Sequence, residues 1–367
     1  MTQMQSHSRN YGLDLLKFLA MVYVIIIHTN GCGGILASSQ GINNRVVIAV
    51  MCFVTVSVNI FALITGYTSY TEVPRPFNYK RVFDIWIQVV FYGLVLTLIC
   101  YLTIPDKVDS TAFFHACLPI FYNEYWYFTA YFLVTLISPL ILTAVRNLTE
   151  ETLKKLILVT FFVFAFIIPL SSEGYAIVHP FTFAWIIILY FWGAAIKKCN
   201  VGNGISSKRL ILIIIICAVI TFSWNTIMSK ISTHPVIWNN SIFDQYNSPT
   251  MAISAICYVI LFSRIKIGKR GVRHLKFISP CIFAAYLINA NPLIYNEVLF
   301  DRFMLLGNMN ALLTTIIVIT FSVLFTYSSC LIDRLRMLLF KILRIDVFIV
   351  RVANYVEKLI YSISKGL

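Results

Sequence analysis

The stretch Arg9-Asn-Tyr-Gly-Leu-Asp-Leu-Leu-Lys-Phe-Leu-Ala-Met-Val-Tyr-Val-Ile-Ile-Ile-His28 decides how the rest of the chain is read. Its apolar run is long enough to enter a bilayer, yet it carries Asp14, Lys17 and His28. At about 100° per residue, the steps from Lys17 to His28 complete three turns with roughly 20° to spare, so the two side chains point the same way. Asp14, three residues before Lys17, lies on a neighbouring strip of that face and within reach of the ammonium. The helical rise puts Lys17 and His28 roughly 16 Å apart, about half the hydrocarbon thickness. Ionisable groups facing lipid cost several kcal/mol, so an intramembrane His aligned with a Lys marks a functional site. The competing reading has Lys17 snorkelling to the head groups and His28 ending the helix in the opposite interface.

Working outward, the 367 residues are 59% hydrophobic and only 12% charged, with a mean hydropathy of +0.82. These values exclude a soluble globular domain and indicate an all-α polytopic membrane protein. The first apolar run contains Lys17 and has no small-residue cleavage site after it, so the first helix is expected to stay in the mature protein. About ten apolar segments separate at loops, near residues 13–29, 46–67, 83–104, 126–145, 156–170, 181–196, 210–228, 250–262, 277–294 and 311–332. Several are shorter than the usual twenty residues, as tilted or broken spans are.

One alternate set of loops collects Arg9, Arg75, Lys80, Arg81, Arg146, Lys154, Lys155, the Lys197 to Arg209 cations, the Arg264 to Lys276 cations and the basic tail. The other set holds only Arg45, Lys107, Lys230 and Arg302. The positive-inside rule then places both termini in the cytoplasm. The same rule accounts for the net charge of +14, so no nucleic-acid partner is needed. Residues 1–333 are expected to form the membrane domain, and residues 334–367 a basic amphipathic helix on the anionic inner leaflet. Nine cysteines are scattered singly, without CxxC or Cys/His clustering, and most read as small apolar residues, while Cys32 and Cys117 fall in loops on the same predicted side, where a pairing is open to them. No metal centre is expected.

Under this topology Lys17 lies near the cytoplasmic face and His28 toward the outer half, so a substrate touching both runs lengthwise through the bundle. The second segment offers a polar lining in Thr55, Ser57, Asn59 and Thr65. It leads to Arg75, Lys80 and Arg81, cations that suit a phosphorylated ligand or simply obey the positive-inside rule. On the outer side, Tyr122-Asn-Glu-Tyr-Trp-Tyr-Phe128 is first an interfacial aromatic belt. Glu124 within it is an acid near the outer end of the first helix, able to orient a His or bind sugar hydroxyls. His115, His179 and His234 fall in outer loops and read as solvated, while His274 sits among the cytoplasmic cations.

These residues resemble the acyltransferase-three family of integral membrane acyltransferases, which O-acylate cell-surface carbohydrates. The hallmark stands here as Leu13, Asp14, Leu16, Lys17, Ala20, Val24 and His28, with Lys where Arg is commoner. Phe61-Ala-Leu-Ile-Thr-Gly-Tyr67 resembles a family segment with Ser at the place of Thr65, and the basic pair Lys80 and Arg81 follows it. Tyr125-Trp-Tyr-Phe128, leading to Ser138-Pro139, and the late segment Ala285-Tyr-Leu-Ile-Asn-Ala-Asn-Pro292, with Asn289 where His is common, complete the likeness.

The resemblance implies transfer from a cytoplasmic acyl-CoA, most often acetyl-CoA, to a hydroxyl of a free or lipid-linked carbohydrate. A bacterial inner membrane is the expected location, on the aromatic-, Ile- and Lys-rich composition of the chain. Lys17, Lys80, Arg81 and Arg75 would hold the nucleotide phosphates, Asp14 would orient Lys17, and His28 would act as general base or transient acyl acceptor. Glu124, Trp126, Tyr127 and Asn59 are the candidates for acceptor contact. The competing class is a transporter or flippase of a sugar substrate, against which stands the placing of the Asp and Glu residues in loops or at span ends.

Overall fold

The computed structural model describes residues 9–170, 180–231 and 243–366, and every regular element among them is helical. Among the described residues, seven helices are long and apolar enough to cross a membrane. They are α1 (Tyr11–Asn30), α2 (Gly41–Ser69), α3 (Tyr79–Thr103), α4 (Trp126–Asn147), α5 (Glu150–Leu170), α7 (Ser207–Ser229) and α11 (Ala311–Ile342). The three remaining apolar segments fall on shorter elements: α6 (Phe183–Lys198), α8 (Pro249–Ser263), and a broken helix. The broken helix comprises the basic α9 (Lys269–Ile278), a tight Ser279–Cys281 link carrying Pro280, and α10 (Ile282–Asn289). The chain is thus an all-α polytopic membrane protein, as expected from its composition. His179 and His234 lie outside the described residues.

The helices start and bend where the sequence supplies the means. Asn10 caps α1 by accepting from the Leu13 N–H at 3.1 Å, and Asn78 caps α3 by accepting from the Arg81 N–H at 3.0 Å. The α2 ladder is interrupted at Thr55 and Val56, where the Thr55 hydroxyl bonds back to the Met51 carbonyl at 2.8 Å. In α5 the run Phe162–Ile167 widens into a π-turn. The last span and the start of the tail form one continuous helix, α11, through Asp333 to Ile342. It is followed by α12 (Ile345–Gly366), which packs on α3 with Ile349 and Ala353 buried.

Helix α1 is the central post. Of its apolar window 61% is buried inside the protein, against 17% for α5 and 28% for α11. Leu13, Leu16 and Ala20 join a core built around Trp185, Trp192, Leu63 and Ile64. Met21 and Val24 join a second core with Val89, Phe128, Ala285 and Leu287. The first core depends on a close crossing of α2 and α6. A Cβ at Gly66 would sit 1.9 Å from the Tyr190 carbonyl oxygen, and one at Gly193 would sit 2.1 Å from that of Leu63. Neither position has room for any side chain, so the backbones touch, as small residues allow in membrane helix pairs.

Candidate active site

A cavity of about 320 Å³ lies beside α1, between the two cores. Lys17, Arg81 and Ser279 stand at one end, and His28, Trp126 and Tyr246 at the other. Met21, Val24, Phe61 and Tyr286 line the stretch between. Lys17 and His28 therefore share one wall because of their helical spacing, and α2, α3, α4, the broken helix and Tyr246 before α8 supply the rest.

At the Lys17 end, Asp14 is buried, only 3% exposed. It accepts from Arg9 Nε at 2.5 Å and lies 3.4 Å from Lys17 Nζ. Arg9 also donates through Nη2 to Ser279 Oγ at 3.1 Å. The first turn of α1 is held against the end of α8. Asn10 donates to the Ser263 carbonyl at 2.7 Å, and a Cβ at Gly12 would lie 2.1 Å from the Phe262 carbonyl oxygen. Arg81, the third residue of α3, donates to Tyr131 Oη at 3.0 Å.

At the other end, His28 Nδ1 is paired with Asn289 Oδ1. An amide oxygen only accepts, so Nδ1 carries the proton and the lone pair of the neutral ring sits on Nε2. The ring also meets Tyr295 edge-on, with centroids 5.0 Å apart. Asn289 is placed by the end of α10, which a polar knot ties to the start of α4. Asn291 donates to Tyr125 Oη at 3.1 Å, and Tyr125 Oη donates to the Leu287 carbonyl at 3.2 Å. With Tyr125 so anchored, Trp126 and Tyr127 open onto the cavity. Trp126 stacks on Tyr246, and Tyr127 Oη is buried without a hydrogen-bond partner among the described residues. A buried hydroxyl left unpaired on a cavity wall is a group for a ligand to satisfy.

The structure brings Lys17, His28, Thr65, Arg81, Trp126 and Tyr127 to one cavity, which Asp14, Asn59, Arg75, Lys80 and Glu124 do not line. Asp14 stands behind Lys17. Lys80 is paired with Asp84 at 2.6 Å, and Arg75 is exposed in the connection before α3. Asn59 is fully buried one layer back, donating to the Tyr246 carbonyl at 2.6 Å and accepting from Trp185 Nε1 at 3.0 Å. Glu124 lies 3.5 Å from His115 Nδ1, and that ring stacks on Tyr122. Burial pushes the Glu124 carboxyl above its ordinary value, and the His115 charge opposes that rise. His274 stacks on Tyr327, away from the cavity.

Sequence reasoning missed Gln88, Tyr131, Tyr246 and Tyr286 as lining residues, and Asn289 as the partner of His28. Gln88 follows Arg81 by seven residues and Tyr131 follows Tyr127 by four, so helical spacing carries both. Tyr246, Tyr286 and Asn289 arrive only through tertiary packing.

A family model described as an acyltransferase domain matches residues 10–331. Among curated proteins and solved structures, none matches the chain. The matched span begins at the cap of α1 and runs into α11, so it takes in every wall of the cavity, and on that ground the chain belongs to the acyltransferase-three family of multi-pass membrane acyltransferases.

Proposed function

We propose that the protein moves an acyl group, most simply acetyl, from a cytoplasmic acyl-CoA to a hydroxyl of a carbohydrate that is exported or displayed at the cell surface. The observation that carries this reading is the shared cavity of Lys17 and His28, with the His28 lone pair directed by Asn289 to Nε2. The positive-inside distribution favours a cytoplasmic Lys17 end, where Lys17 and Arg81 are suited to phosphate oxygens. Acyl-CoA supplies the reactive thioester. A cavity with cations at one end and a largely apolar middle fits a donor with a phosphorylated head and a long neutral arm.

In this mechanism His28 Nε2 takes the proton of the acceptor hydroxyl as its oxygen attacks the thioester carbonyl. The new C–O bond forms and the C–S bond breaks. The imidazolium returns its proton to the departing thiolate, so His28 ends the cycle neutral. Asn289 holds the ring through Nδ1 throughout, and Tyr127 Oη offers a hydrogen bond to a substrate oxygen. Trp126 and Tyr246 present aromatic faces of the kind that sugar rings stack on.

The test is release of free CoA from acetyl-CoA by purified protein in nanodiscs, with and without candidate glycan acceptors. His28→Ala is expected to lower the rate by about 10²- to 10⁴-fold, the usual range for a general base. A folded His28→Ala protein that acylates as fast as wild type sinks the mechanism. A folded wild type that neither binds nor turns over acyl-CoA shifts the weight to sugar transport.

A further inference from the structure

Arg9 has no role in the chemistry above, yet it occupies the mouth of the Lys17 end. Its guanidinium meets Asp14 through Nε and Ser279 through Nη2, and its side chain is 45% exposed. Among the described residues only these two of its N–H donors are taken, which leaves the rest of the fork for a ligand. Ser279 lines the cavity and begins the Pro280-containing link between α9 and α10. The Arg9–Ser279 bond therefore ties the start of α1 to the link of the broken helix that packs against it.

The charges there do not balance. Lys17 lies in the field of Arg9 and Arg81 as well as Asp14, giving three cations to one carboxylate. Lys276 adds a fourth cation nearby, its Nζ standing 5.9 Å from the Tyr11 ring centroid while Arg9 stands 5.7 Å from the same ring. Asp14 accepts from Arg9 and Lys17 together, so it orients both without neutralising the group. Cations held in fixed geometry with surplus charge and open donors are built for a polyanion, and the planar fork of arginine matches phosphate oxygens.

We infer that Arg9, backed by Asp14 and latched to Ser279, is a phosphate-binding residue at the mouth of the cavity. The phosphorylated head of the donor takes the place of Ser279 on the guanidinium, while the Asp14 contact keeps the fork aimed. The inference rests on the acyl-CoA reading above and adds the residue that discriminates donors by their phosphates. Arg9, which sequence reasoning assigned only to topology, thereby joins Lys17 and Arg81. Lys80, already matched with Asp84, does not.

The test compares CoA with pantetheine, which has the same arm without phosphates, by calorimetric titration of full-length protein in nanodiscs. The KM values of acetyl-CoA and S-acetylpantetheine are compared alongside. Arg9→Ala is expected to weaken CoA binding and raise the acetyl-CoA KM at least 10-fold, with kcat and both pantetheine values unchanged. Arg9→Lys, which preserves the pairing with Asp14, is expected to recover part of the affinity. Equal losses for both donors in Arg9→Ala, or no loss for either, overturn the inference and make Arg9 a structural tie. A folded wild type that binds no CoA overturns the donor reading itself, and this inference with it.

Discussion

Asp14 and Asp333 are both buried carboxylates in membrane helices, both with arginine partners, and they are built to opposite ends. Asp333, fully buried in α11, is saturated: it accepts from Arg336 Nε at 2.6 Å and Nη2 at 3.1 Å, from Tyr92 Oη at 3.0 Å and from Gln88 Nε2 at 3.1 Å. Its arginine is only 11% exposed. Asp14 is almost as deeply buried, but its cations keep a third to nearly a half of their side chains exposed and reach the cavity or its mouth. A charge pair closed on itself locks α11 to α3. One whose cations are left partly open holds them ready for something else. Burial of the acid alone does not separate structure from function; the exposure of its partners does.

Breaking the closed pair produces the largest effect on folding. Asp333→Ala strands Arg336 in the interior and is expected to cost about 3–5 kcal/mol of stability. Thermal unfolding in detergent measures it, and the folded fraction is expected to keep its donor KM. Lys17→Ala is expected to behave the other way round. It should lower kcat/KM by roughly 10- to 100-fold, the equivalent of about 1.5–3 kcal/mol of charge-assisted hydrogen bonding, with little change in unfolding temperature. If Lys17→Ala unfolds the protein while Asp333→Ala removes only activity, the contrast fails.

Asn289→Ala sharpens the contrast at the far end of the cavity. Freed of its acceptor, Nδ1 no longer fixes the tautomer, and kcat is expected to fall about 10-fold, near the value of one hydrogen bond, with donor binding unchanged. The smallest effect is expected of the double replacement Asp333→Leu with Arg336→Met. It removes a buried pair together and should recover most of the stability lost in Asp333→Ala, to within about 1 kcal/mol of wild type. Circular dichroism melts of the single and double variants give the comparison.

Much of the helical layout was legible in the chain, because hydrophobic run length alone marks a membrane span. The site was legible only where it lies along one helix. Lys17 and His28 are linked by helical spacing, and so are Arg81 and Gln88. The pairing of His28 with Asn289 spans 261 residues, and no local pattern carries it. Among the cations after α2, composition could not tell Arg81 from Lys80. The difference is that Asp84 stands four residues beyond Lys80 and matches it. Asp333 sat at the expected edge of the tail, yet the helix runs nine residues past it. Its three partners, two of them on α3, keep that acid inside.

The contact of Gly66 with Tyr190 and of Gly193 with Leu63 has a mechanical meaning as well as a packing one. Helices whose backbones touch have no cushion of side chains on which to slide, so α2 and α6 move as one plank. If the cavity changes width during turnover, the travel must come from the facing wall, where Pro280 interrupts the helix between α9 and α10. One wall of the cavity is a fixed jaw, and the other carries the joint.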